Sequence, residues 1–278
     1  MKSDIYSERP NFSIILPGGC QAHCAFCFWK QKKMGSFDKW INKLIYTLDT
    51  LPECFDQISI TGGEPTLSPL FHNVLCALSL RKDRWKKIVL TTNGGGILEP
   101  HNLIQTLKDD KVIDFINISR HHFVDAENQK IFKTKKVPSR DDLKRIADKI
   151  GNKLTFNCVY SDMSYQFFGE YMKFAEEVGV KTVCFRRTHG SLDMHHVEAN
   201  VERLYMKIDE SSCPVCRSTF YSFSPTMVCA FKYSLVEPKE AIDGVYELIY
   251  QQDGKLTTDW EGMVEVDLIK EEDEKEAV

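Results

Sequence analysis

Residues 18–29 read Gly18-Gly19-Cys20-Gln21-Ala22-His23-Cys24-Ala25-Phe26-Cys27-Phe28-Trp29, with three cysteines spaced C-x3-C-x2-C. The run follows an apolar stretch, Phe12 to Leu16, that reads as a strand entering a Gly-Gly loop. Thiolate is a soft ligand suited to iron–sulfur clusters and to zinc. Three thiolates on one tight loop hold three corners of a [4Fe–4S] cubane and leave the fourth iron open. An open iron serves a site that binds a small molecule. Taken alone, the spacing fits a zinc ion or three core cysteines equally well.

Two further stretches lie at strand ends. Thr61-Gly62-Gly63-Glu64-Pro65 follows the apolar run Phe55 to Ile60, and Thr91-Thr92-Asn93-Gly94 ends another, Lys87 to Leu90. Glycines there allow the chain to approach a ligand closely. The three motifs, in this order and each after a strand, resemble those of the radical S-adenosylmethionine (radical SAM) superfamily. Phe26, the aromatic residue before the third cysteine, resembles the family as well. The resemblance implies that Cys20, Cys24 and Cys27 hold a [4Fe–4S] cluster and that Gly62, Gly63, Glu64 and Pro65 meet SAM. It makes Asn93 a further cofactor residue. In the family, an electron from the cluster cleaves SAM to methionine and a 5′-deoxyadenosyl radical, which abstracts hydrogen from the substrate.

Strand and helix alternate six times along the chain. Strands are predicted at 12–16, 55–60, 87–92, 114–119, 153–159 and 181–186, and helices at 37–50, 69–80, 100–108, 139–150, 164–178 and 195–208. Such alternation favours parallel strands joined by crossovers, in a doubly wound sheet or a barrel. The resemblance implies the α/β partial (β/α)6 barrel of TIM type over 10–192. Chemistry in such folds gathers at the carboxyl ends of strands. That rule nominates Ser119 and Arg120 for the hydroxyls and carboxylate of SAM, Asn157 and Arg186 as further cofactor residues, and His121 and His122 as acid–base groups. The aromatic run at 167–174 has a helical rhythm and reads as core. Cys54, Cys76, Cys158 and Cys184 sit in apolar segments and read as core thiols.

After the barrel come Cys213, Cys216 and Cys229, spaced C-x2-C-x12-C. They read as ligands of a second iron–sulfur cluster or of zinc, in a small cap over 210–262 similar to the twitch caps of radical SAM enzymes. The cap includes a predicted hairpin at 246–260 with Asp253-Gly254 as its turn. Relatives carry a cysteine after the DGKL stretch where this chain has Asp259. Residues 263–278 read as an acidic, disordered tail.

The chain has 278 residues, a formal net charge of −4 and no apolar run long enough to span a membrane. The acidic balance argues against a wide nucleic-acid surface. Ten cysteines without a secretory signal fit metal binding in a reducing cytoplasm. The expected activity is a radical SAM reaction, an isomerase, oxidoreductase or lyase step, on a small or nucleotide-like substrate, with flavodoxin or ferredoxin as electron donor. Three alternatives stand beside it: a peptide-modifying maturase, an isomerase of an amino-acid-modified base in phage DNA, and a non-enzymatic iron–sulfur regulator. The short segment before residue 12 counts against a fused leader-binding domain, and an intact SAM pocket counts against a scaffold.

Overall fold

In chain order the elements are β1 (Tyr6–Leu16), α1 (Phe37–Thr50), β2 (Gln57–Gly62), α2 (Phe71–Ser79), β3 (Lys87–Thr92), α3 (Leu103–Asp109), β4 (Phe115–Ser119), α4 (Asp125–Phe132), α5 (Arg140–Ile150), β5 (Leu154–Tyr160), α6 (Tyr165–Val178), β6 (Thr182–Arg187), α7 (Met194–Leu204), β7 (Met206–Glu210), β8 (Thr219–Ser224), β9 (Met227–Lys232), β10 (Val245–Tyr250) and β11 (Leu256–Thr257). The structure is a computed structural model that describes residues 6–27, 29–33, 35–98, 103–109, 111–160, 163–187, 194–210, 218–232 and 245–266. Two compact units divide the chain. One comprises Met1–Gly19, Trp29–Ile88 and Ile242–Val278, the other Cys20–Phe28 and Val89–Ala241.

In the first unit β1 pairs in parallel with β2, from Asn11↔Gln57 to Leu16↔Gly62, and with β10, from Asn11↔Glu247 to Ile14↔Tyr250. β10 turns back antiparallel into β11. Apolar Phe12, Ile14, Ile58 and Ile60 are buried, as period-two alternation requires of a strand. Helix α1 places Trp40, Leu44 and Leu48 one helical turn apart and buries all three. The Trp40 indole N–H donates to the Gln251 carbonyl at 3.0 Å, and the Tyr250 hydroxyl donates to the Trp40 carbonyl at 2.8 Å. The buried carboxylate of Glu247 accepts from Asn11, Ser13 and Trp260 at 2.8, 2.7 and 3.0 Å.

In the second unit β3, β4, β5, β6 and β9 run parallel, and β8 and β7 continue the sheet antiparallel. Among the described residues the sheet of neither unit closes on itself. Phe156, Phe185 and Phe231 share one face and pack on Phe168, Tyr171 and Phe174 of α6, with ring centroids 5.4–6.5 Å apart. Alternation therefore turns Asn157, Arg186 and Lys232 to the opposite face.

The α/β class and all six predicted strands are present, five within two residues of their expected bounds, while β1 begins at Tyr6, earlier than the expected residue 12. Residues 245–257 do form a hairpin, with Gly254 at φ +81° in its turn, but β10 lies alongside β1 and β9 alongside β6. The segment expected as a separate cap is thus distributed between the two units. Residues 206–208, expected to finish a helix, belong instead to the exposed strand β7. Helix α4 was not foreseen, because it buries only Asn128 and Phe132 and has no apolar stripe. Glu265 of the expected disordered tail bridges to Thr257; residues 267–278 lie outside the described residues. Of the four expected core thiols, Cys158 and Cys184 are buried and Cys54 is half-buried, whereas Cys76 is exposed on the solvent side of α2.

Candidate active site

In the first unit, the Gly62–Pro65 loop leaves β2 and touches the residues that flank the cysteine run. A Cβ at Gly63 would stand 2.8 Å from the Gly19 carbonyl oxygen and 2.9 Å from the Trp29 ring, so only glycine fits. The Glu64 N–H donates to the same Gly19 carbonyl at 3.1 Å. Glu64 is 2% exposed, and its Oε1 accepts from the Thr66 N–H at 3.0 Å and hydroxyl at 2.5 Å, capping the short 3-10 turn Pro65–Leu67. The Trp29 indole N–H beside this loop is buried and has no hydrogen-bond partner.

In the second unit, the cysteine loop is held by the motif after β3. Asn93 Oδ1 accepts from the Gln21 side chain at 2.6 Å and from the Gly95 N–H at 2.8 Å, and Asn93 Nδ2 donates to Cys20 Sγ at 3.5 Å. The Ala22 N–H also reaches Cys20 Sγ, at 3.4 Å. Cys20 and Cys24 pack against Ala22, Phe132 and Val137. A Cβ at Gly95 would stand 2.7 Å from the Lys136 carbonyl oxygen, which explains a glycine there. Burial, and then the neighbouring Cys27 and Cys20, push the Cys24 thiol up to about 12. Three thiols close enough to oppose one another's ionisation need a cation to deprotonate them, which is what metal ligation supplies. A single zinc with bonds of about 2.3 Å would draw the sulfurs to within about 4 Å of each other. Among the described residues no group of three His, Cys, Asp or Glu is arranged to hold a single metal ion. The donor set fits a cluster that takes one thiolate per iron, with N–H groups directed at a ligand sulfur.

The residues after β4 behave differently from the sequence expectation. Arg120 is 1% exposed, and its guanidinium donates to the His122, Pro138 and Phe123 carbonyls at 2.6, 3.0 and 3.3 Å and to Asp125 at 2.6 Å. It also lies over the Phe174 ring at 5.0 Å. These donors hold a loop together, so the geometry gives Arg120 a structural task in place of the carboxylate of SAM. His121 is buried, stacked on Phe132 at 4.7 Å and edge-on to Phe26 at 5.0 Å, and its Nδ1 accepts from the Val159 N–H at 3.0 Å. Burial, with Arg120 adding to it, pushes His121 down to about 3, so it is neutral at ordinary pH and unsuited to proton transfer. His122 Nδ1 accepts from the Val124 N–H at 2.9 Å, and burial lowers its pKa. Ser119 faces Asn157 across the β4–β5 pair, and Asn157, 6% exposed, has an unpaired buried Oδ1.

Cys213 and Cys216 lie outside the described residues. Cys229 is 0% exposed on β9, on the same face as Phe231, and burial pushes its thiol up to about 12. That is the environment of a core thiol. Asp259 accepts from the Met263 and Val264 N–H groups at 2.6–3.1 Å. Burial raises its pKa and these backbone donors outweigh it, so the carboxylate closes its own turn. The sequence reading missed Gln21 and Trp29, since nothing local pairs either with a partner many residues away.

Residues 14–181 match the Radical SAM superfamily, and the chain belongs to that superfamily. Among solved structures, Streptococcus suis SuiB bound to precursor peptide SuiA is similar at a TM-score of 0.64 and 16% identity, over 90% of this chain and 60% of that one. SuiB bound to S-adenosylmethionine is similar at 0.65 and 16%, over 95% and 62%. At such identities the likeness shows the fold, that of the radical SAM partial barrels. The chain spans about 60% of the length of SuiB. No curated protein matches it. Among the described residues no helix is long and apolar enough to cross a membrane.

Proposed function

We propose that this protein reductively cleaves SAM and uses the resulting carbon radical to take a hydrogen from an organic substrate. The observation that carries the reading is the Cys20–Cys24–Cys27 loop, in which Cys20 Sγ receives two N–H donors and Cys20 and Cys24 pack on one apolar cluster. A bound [4Fe–4S] cluster supplies the electron for that cleavage, delivered by a donor such as flavodoxin or ferredoxin. Cys20, Cys24 and Cys27 would hold the cluster. Asn93 and Gln21 fix the loop, and the packing of Phe132 and Val137 keeps water from its inner side. Gly62, Gly63 and Pro65 let the backbone approach the amino group of SAM, and Glu64 gives that group a carboxylate. Ser119 and Asn157 present polar groups at the carboxyl ends of β4 and β5.

A second reading, a peptide-modifying maturase, is favoured by the fold match to SuiB over nine-tenths of this chain. The test common to both is spectroscopic. Anaerobically reconstituted and reduced protein should give a [4Fe–4S]⁺ EPR signal that changes shape when SAM is added. A signal indifferent to SAM would refute the reading.

A further inference from the structure

We propose that Arg186 and Lys232 form an oxyanion site that holds a carboxylate or phosphate of the substrate. The proposal deepens the radical SAM reading by giving its substrate a chemical handle. The register pairs Arg186 with Lys232 across parallel strands β6 and β9. Directly paired residues in a sheet share a face, and neighbouring strands stand about 4.8 Å apart. The stacked Phe185 and Phe231, one position earlier on each strand, pack on α6 and fix the alternation. Both cations therefore stand on the face away from α6, at the carboxyl ends of their strands, where chemistry gathers in folds of this class.

Like charges placed directly opposite destabilise a sheet unless something neutralises them. Neither Arg186 nor Lys232 has an ion pair among the described residues, and both are half-buried. The Arg186 Nε–H is buried and unpaired. A fork-shaped guanidinium beside an ammonium suits an oxyanion with two or more acceptor oxygens. Two positions before Arg186, Cys184 pairs with Asn157, whose unpaired, buried Oδ1 lies on the same face. An acceptor at that depth and two donors nearer the strand ends suit a ligand with an N–H or O–H at one end and an anion at the other.

The test melts cluster-loaded protein anaerobically at constant ionic strength in chloride, inorganic phosphate or glutarate, and measures the SAM dissociation constant alongside. The wild type should gain about 2–4 °C in one of the two oxyanions over chloride, and the stronger of them identifies phosphate or carboxylate as the handle. Arg186→Met and Lys232→Met should each melt higher than the wild type in chloride and lose most of the oxyanion gain, and Lys232→Met should leave SAM affinity unchanged. Lys232→Gln, at a strand end, repeats the measurement should the arginine variant fail to fold. Equal oxyanion gains in wild type and variants would overturn the proposal. So would a roughly ten-fold loss of SAM affinity in the variants, which would assign the pair to the cofactor. Failure of the radical SAM reading itself would show separately, as wild-type protein that makes no 5′-deoxyadenosine.

Discussion

Arg120 and His121 are neighbours whose surroundings give them tasks that their positions at a strand end do not announce. Arg120 donates to three carbonyls and one carboxylate, and a hydrogen bond to a charged group is worth about 1.5–3 kcal/mol. Arg120→Ala should therefore lower unfolding stability by about 2–4 kcal/mol in urea titration. Arg120→Lys should recover little of it, because an ammonium lacks the fork. Full stability of the alanine variant with SAM binding lost would restore Arg120 to the cofactor. His121 has a folded pKa of about 3, so between there and about 6.5 the unfolded chain takes a proton that the folded chain refuses. Its contribution to stability is complete above about pH 6.5 and is lost as pH falls below that, by at most about 1.4 kcal/mol per unit. Stability measured from pH 7 to 4 should fall less steeply in His121→Gln than in the wild type; parallel curves would show that His121 does not shape the acid limb.

At the scale of elements, the β10–β11 hairpin holds the first unit together by buried polar contacts. Glu247→Ala would leave the Asn11, Ser13 and Trp260 donors without their carboxylate. A cost of about 3 kcal/mol or more is expected in chemical denaturation, with Glu247→Gln costing less because it keeps one acceptor. Equal stability of Glu247→Ala and the wild type would refute that role. The strands were legible because apolar runs such as Phe12 to Leu16 alternate with amphipathic helices such as α1. Strands β8 and β9 were not, because Cys229 within β9 read as a ligand, and only its pairing with Val183 of β6 and Tyr221 of β8 shows it inside the core. Helix α4 is polar along most of its length, and its place depends on Asn128, whose Oδ1 accepts from the His121 N–H and whose N–H donates to the Val124 carbonyl.

For the whole molecule, three short motifs indicated the superfamily, while the side chains around them needed the fold. Cys20, Cys24 and Cys27 follow from spacing. The Asn93 link to Cys20 and the Arg186–Lys232 pairing join residues 73 and 46 positions apart, which no local pattern encodes. The central claim is that these elements together cleave SAM. Its most direct measurement is chromatographic detection of 5′-deoxyadenosine and methionine from anaerobically reconstituted, dithionite-reduced protein, beside the Cys20→Ala/Cys24→Ala/Cys27→Ala variant. The wild type should form both products. The variant should form neither and should lose about four irons per chain, the content of one cubane. Undiminished 5′-deoxyadenosine from the triple variant would contradict the account.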